Sequence, residues 1–158
     1  MKQNWDKRIV ELGLIITEPL PPRSTYHAVV FEGLLAYTSG IVAVEGPPWK
    51  MAYAGSVGDE IEVADASKSA ALAMMCTLAN LKGALGGSLD RVERFVKLTG
   101  YVRCKNDFHQ MPLVMDGASQ VLIDIFGEDL LPARTAVGVS ALPGGASVEL
   151  ELIVRLHA

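Results

Sequence analysis

Apolar and polar residues alternate most cleanly near the C-terminus. Val148, Leu150, Leu152, Val154 and Leu156 fall on one side of an extended segment, and Glu149, Glu151 and Arg155 on the other. This pattern predicts a strand from Ser147 to Leu156 with one face buried. A helical period replaces it between Ala66 and Leu81, where Ala66, Ala70, Ala73, Thr77 and Leu81 recur at spacings of three and four. The predicted helix opens at Asp65 or Ala66, runs to about Leu85 and stops at Gly86-Gly87. A second helix is expected from a cap at Asn106 or Asp107 through Phe126, with Gly127 as its stop. A short one over Asn4 to Leu12 puts Trp5, Ile9 and Leu12 on one face. Further strands are predicted at Val29-Val30-Phe31 and Leu34 to Ser39 around a turn at Gly33, at Val92 to Arg103, and at Arg134 to Ser140. Pro143-Gly144-Gly145 marks the turn before the last strand. Glu18-Pro19-Leu20-Pro21-Pro22 reads as a stiff connector and Glu45-Gly46-Pro47-Pro48-Trp49 as a loop.

The order, after a short helix, is ββ, α, β, α, ββ. It implies an α+β fold, a mixed sheet with two helices on one face. The 158 residues fit one domain, with residues 1–25 as an N-terminal helix and Pro-rich extension and residues 26–158 as the core. The sheet face away from the helices is then either wet or covered by another subunit. Composition favours the second: 50% of residues are apolar, 20% are charged, and mean hydropathy is +0.29. With 14 Lys and Arg against 18 Asp and Glu, the net charge is −4, which weighs against nucleic acid and anionic membrane as partners. The charged start Met1-Lys2-Gln3-Asn4 has no apolar run behind it, and Ala70 to Leu81 is too short to span a bilayer. Cys76 and Cys104 make no disulfide framework. A cytoplasmic location is expected.

Most common chemistries find no motif. His27, His109 and His157 are far apart and neither cysteine has a partner at ligand spacing, so no metal site is expected. There is no phosphate loop, Gly83, Gly86 and Gly87 follow a helix rather than a strand, and Gly138-Val139-Ser140-Ala141-Leu142 lacks the second glycine of a nucleophile elbow. What remains is Arg134, a guanidinium opening an otherwise apolar strand and suited to a bidentate grip on a carboxylate. If the strands on either side of Pro143 pair, Arg134 and one of Glu149 and Glu151 share a pocket. A structural Arg–Glu pair at a subunit seam is the plainer reading of the same residues. Ser39-Gly40 has a turn, and Tyr26 a half-buried aromatic, as its ordinary reading.

Tyr26, then Tyr37-Thr38-Ser39-Gly40, Pro132-Ala133-Arg134-Thr135-Ala136-Val137, Leu142-Pro143 and Val148-Glu149-Leu150-Glu151 together resemble the YjgF (Rid, L-PSP endoribonuclease-like) family. The resemblance runs from about Tyr26 to the C-terminus, and the extension marks a longer branch. It implies a chorismate-mutase-like fold assembled as a homotrimer with ligand clefts between subunits. It further implies hydrolysis of reactive enamines and imines such as 2-aminoacrylate to 2-keto acids and ammonia, with no metal or organic cofactor. In those terms Arg134 clamps the substrate carboxylate, Glu149 places and activates water, and Tyr26, Ser39 and Gly40 complete the pocket. A clamp and a held water are what an imine beside a carboxylate requires. A guanidinium near Glu149 would favour its ionised form, so a water relay is the expected proton route. Ala136 stands where the deaminase branch usually carries cysteine, and His27 where a small or aliphatic residue is common. The Gly46-Pro47-Pro48-Trp49 loop matches no family pattern. Deaminase is the first expectation, a non-catalytic trimeric binder of small carboxylates the second, and endoribonuclease the third.

Overall fold

The computed structural model describes residues 4–21 and 24–158; Pro22 of the connector lies outside them. The first half contains helix α1 (Trp5–Glu11), strands β1 (Val29–Glu32), β2 (Leu35–Thr38) and β3 (Ile41–Val42), and the small hairpin β4 (Val44–Glu45) and β5 (Lys50–Met51). Helix α2 (Val63–Ala84), strand β6 (Val92–Arg103), helix α3 (Met111–Phe126) and strands β7 (Ala133–Val139) and β8 (Val148–Leu156) follow. The main sheet runs β1-β2-β8-β6-β7, with β3 also on β8. Among the described strands of this sheet β6 and β7 pair in parallel, as the crossover through α3 requires, and the other pairs are antiparallel. An α+β architecture with a mixed sheet is what the strand and helix order implied.

Three local expectations are corrected. Helix α2 begins at Val63, ahead of Asp65, because Glu62 occupies its N-cap without a side-chain cap bond and leaves no sequence signal. Helix α3 begins at Met111 with Pro112 in its first turn, so Asn106 and Asp107 lie in the preceding loop. The stretch read as a plain Gly-Pro loop is the turn of the β4–β5 hairpin, Val44 opposite Met51. Strand β6 has the bounds its sequence predicts.

The α2 positions Ala66, Ala70, Ala73, Thr77 and Leu81 are all buried, as are Val148, Leu150, Leu152, Val154 and Leu156 of β8. Small side chains and glycine let the layers approach. A Cβ on Gly117 of α3 would collide with the Ser67 carbonyl of α2, and one on Gly100 of β6 with Met115. Phe95 and Phe126 meet edge to face with centroids 4.8 Å apart, and Trp5 adds a third ring at 5.1 Å.

That ring and a set of polar bonds fix the N-terminal segment to the core. Asn4 Oδ1 accepts the Lys7 amide, and Trp5 Nε1 donates to the Val92 carbonyl at 3.1 Å. Asp6 accepts from Lys82 at 2.7 Å, from the Ser88 hydroxyl at 2.5 Å and from the Leu89 amide at 3.2 Å. Burial raises the Asp6 pKa, but the Lys82 and Ser88 bonds outweigh it and hold the carboxyl below its usual range. Further along, Pro19 sits against Gly83, and the Leu20 amide donates to Asn80 Oδ1 at 2.6 Å.

One irregularity shapes the site. Tyr37 pairs with Ile153 but Ile41 with Leu150, so β2–β3 carries one residue more than the facing stretch of β8. This bulge at Ser39-Gly40 switches parity. Before it Ala36 and Thr38 face the helices, and after it Ile41 does. The Leu152 amide is satisfied by the Thr38 hydroxyl at 2.9 Å. The other sheet face carries Val30, Tyr37 and Val137 exposed, alongside Glu149, Glu151, Tyr101 and Lys97. Among the described residues no helix is long and apolar enough to cross a membrane.

Candidate active site

A cavity of about 470 Å³ opens beside the bulge. Tyr26, Ser39, Gly40 and Glu149, four of the five residues singled out from the sequence, all line it. The bulge brings them together: it places Ser39 and Gly40 against the start of β8, where Val42 pairs with Glu149. A Cβ on Gly40 would fall on the Glu149 carboxylate. Glycine at this position therefore makes room for the acid. Ser39 Oγ is buried and has no hydrogen-bond partner among the described residues. Such a hydroxyl is costly unless something else bonds to it.

Glu149 is half-buried, and no donor among the described residues bonds to its carboxyl. Burial raises its pKa above the ordinary 4.5, and the nearby charge of Glu151 pushes the same way. Glu151 is itself tied to the Tyr101 hydroxyl at 3.2 Å. Burial, then Glu151, raises the Tyr101 pKa above 10.0. Glu149 is thus a carboxyl able to keep and release a proton, beside an unpartnered hydroxyl and a phenol. General acid–base work asks for a group of this kind.

Arg134 stands elsewhere. Strands β7 and β8 do not pair, because β6 lies between them and pairs with both. Arg134 aligns with Leu98 and Leu152, on the helix-facing side, whereas Glu149 aligns with Tyr101 on the other. Arg134 Nη1 donates to Asp116 Oδ1 at 2.8 Å and Ser119 Oγ at 2.9 Å, and Nη2 to the Pro112 carbonyl at 3.3 Å. Within one chain, then, Arg134 and Glu149 share no pocket. Ala136 lies on the same side of β7 as Arg134, paired with Gly100, and does not line the cavity.

The apolar part of the lining escaped the sequence reading. Leu20 and Pro21 of the connector, Ile41 and Val42 of β3, and Val44 and Met51 of the hairpin form most of it. Their signal was apolar residues on both sides of a Gly-Pro loop, which shows no pairing partner in sequence. Among the described residues no three His, Cys, Asp or Glu side chains gather where they could hold a metal ion.

Comparison with known proteins supplies the wider frame. Residues 6–151 match the model of the YjgF/chorismate-mutase-like endoribonuclease family. The chain is 32% identical over 147 residues to Protein TCP17 of Trypanosoma cruzi, covering 92% of this chain and 90% of that one. It is 30% identical over 145 residues to a 2-iminobutanoate/2-iminopropanoate deaminase of Dermatophagoides farinae, covering 90% and 96%. The crystal structure of Atu1372 from Agrobacterium tumefaciens, a protein of unknown function, superposes with a TM-score of 0.87 at 35% identity, covering 97% of this chain and 92% of that one.

Proposed function

Because the chain belongs to the YjgF/chorismate-mutase-like endoribonuclease family, we propose that it is a cofactor-free enamine/imine deaminase working as a homotrimer, its substrate a small carboxylate-bearing imine. The observation that carries the reading is Glu149, a half-buried carboxyl with no bonded donor among the described residues, lining the same cavity as Tyr26 and the unpartnered Ser39 hydroxyl. The imine deaminase from Dermatophagoides farinae supports the chemistry.

In the reaction, water adds to the imine carbon while the C=N electron pair moves to nitrogen. Glu149 takes the proton from water and returns one to nitrogen. The C–N bond of the resulting carbinolamine then breaks as its hydroxyl proton passes through Glu149 to the nitrogen, so that ammonia leaves and the 2-keto acid forms. An enamine first accepts a proton at its terminal carbon from the protonated carboxyl, and the iminium so formed loses an N–H proton to solvent to give the imine, leaving Glu149 as the carboxylate that the water step needs. Tyr26 and Ser39 orient the substrate, and Gly40 leaves space for Glu149. Arg134 supplies the carboxylate clamp from a second copy of the chain, since its own cavity is on the other side of the sheet. The exposed sheet face is the surface for that assembly. Cys76 and Cys104 are free thiols, which suits the reducing cytoplasm in which this reading places the protein.

The test is the release of keto acid from imines freshly generated by an amino-acid oxidase. Glu149→Gln is expected to lower kcat by roughly 10²- to 10³-fold, the range for losing a general acid–base group. Arg134→Ala is expected to lower kcat/KM through weaker binding. No acceleration over the uncatalysed rate with any imine would overturn the reading. The same pocket without turnover is a non-catalytic binder of small carboxylates, and in either reading Arg134 exchanges Asp116, Ser119 and Pro112 of its own chain for the ligand carboxylate. The binder reading expects stabilisation by keto acids without turnover. RNA is disfavoured by the −4 charge and by the Glu149–Glu151 pair on the exposed face.

A further inference from the structure

Two segments stand apart from the motifs that carry the family resemblance, the Pro-rich connector and the Gly46–Trp49 loop, and both end at the cavity. The connector brings Leu20 and Pro21 to its wall, and the hairpin that flanks the loop brings Val44 and Met51. These are built walls, since Leu20, Val42, Trp49 and Met51 all pack on a buried cluster of Ile41, Val44 and Cys76. The connector is held in place by the Leu20–Asn80 hydrogen bond and by Pro19 against Gly83. Among the described lining residues the polar side chains are those of Tyr26, Ser39 and Glu149, and the volume lies within the roughly 300–1,000 Å³ typical of drug-sized ligands. A three-carbon imine would leave most of that apolar surface in contact with water.

We infer that Leu20, Val42, Val44 and Met51 form a side-chain subsite, so that the preferred ligand is a 2-imino acid, or its 2-keto acid product, bearing a branched or aromatic hydrocarbon group. The inference rests on the deaminase reading for its chemistry but not for its binding preference. One methylene in an apolar pocket is worth about tenfold or more in discrimination. An isobutyl group in place of methyl is therefore favoured by at least about tenfold.

Two measurements on the full chain test this. Pyruvate and 4-methyl-2-oxopentanoate are titrated calorimetrically, and imines generated from alanine and leucine are compared by kcat/KM. The branched ligand is expected to lead by at least about tenfold. Leu20→Trp, which fills the subsite from the connector, should reduce that ratio about tenfold. Val42→Phe fills it from β3 and should do the same, which covers the case that one variant fails to fold. Equal preference in the unaltered chain, no binding of either keto acid, or equal losses for both ligands in both folded variants would overturn the subsite. If no imine is turned over but 4-methyl-2-oxopentanoate binds more tightly, the deaminase reading falls and the subsite stands. Turnover with equal ratios removes the subsite alone.

Discussion

At Glu149 burial and the neighbouring Glu151 act in the same direction on one carboxyl, and the consequence for stability has a definite sign. Its pKa in the folded chain lies above 4.5. Between 4.5 and the raised value the folded chain holds a proton that the unfolded chain has released. Stability therefore falls as pH rises through that window, whereas below it both states hold the proton and nothing is lost. Glutamine cannot ionise. Glu149→Gln should melt above the unaltered chain at neutral pH, with the difference vanishing near about pH 4, while activity is lost. An inactive variant that gains nothing at neutral pH would show that the carboxyl is not held in an unfavourable setting. A residue whose removal stabilises the fold is kept for what it does.

The element scale is where sequence and structure diverge most. Periodicity made α2, β6 and β8 legible because each has one face buried against a continuous layer. The register switch at Ser39-Gly40 was not legible, since it depends on how β2 and β3 meet β8, more than a hundred residues on in the chain. The same reason hid the order of the sheet: strands β7 and β8 are close in sequence, yet β6 separates them. Tyr26, Ser39, Gly40 and Glu149 were found through the family resemblance, while the apolar wall was missed because Leu20 and Met51 come together only through tertiary packing. The α2–α3 crossing makes its own prediction. Gly117 leaves room for the Ser67 carbonyl. Gly117→Ala should therefore destabilise by about 1–3 kcal/mol, as overpacking does, in urea unfolding. An exposed helical glycine would instead gain stability from alanine, and that result would contradict the crossing described here.

For the whole molecule the open question in a single chain is how a cation reaches the cavity. Glu149 and Arg134 occupy opposite sides of the sheet and are separated by β6, so one chain cannot bring them together without remaking its hydrogen-bond ladder. The assembly proposed above would, since each copy would offer its β7 edge and helix-facing Arg134 to the cavity of a neighbour. Mixing Glu149→Gln and Arg134→Ala chains, each well below the unaltered kcat/KM alone, tests this most directly. In randomly mixed assemblies half of the cavities keep Glu149, and half of those receive an intact Arg134. Refolding the two variants together should restore about one quarter of the unaltered activity. Mixed assemblies that form but stay as inactive as the separate variants would contradict a site shared between copies.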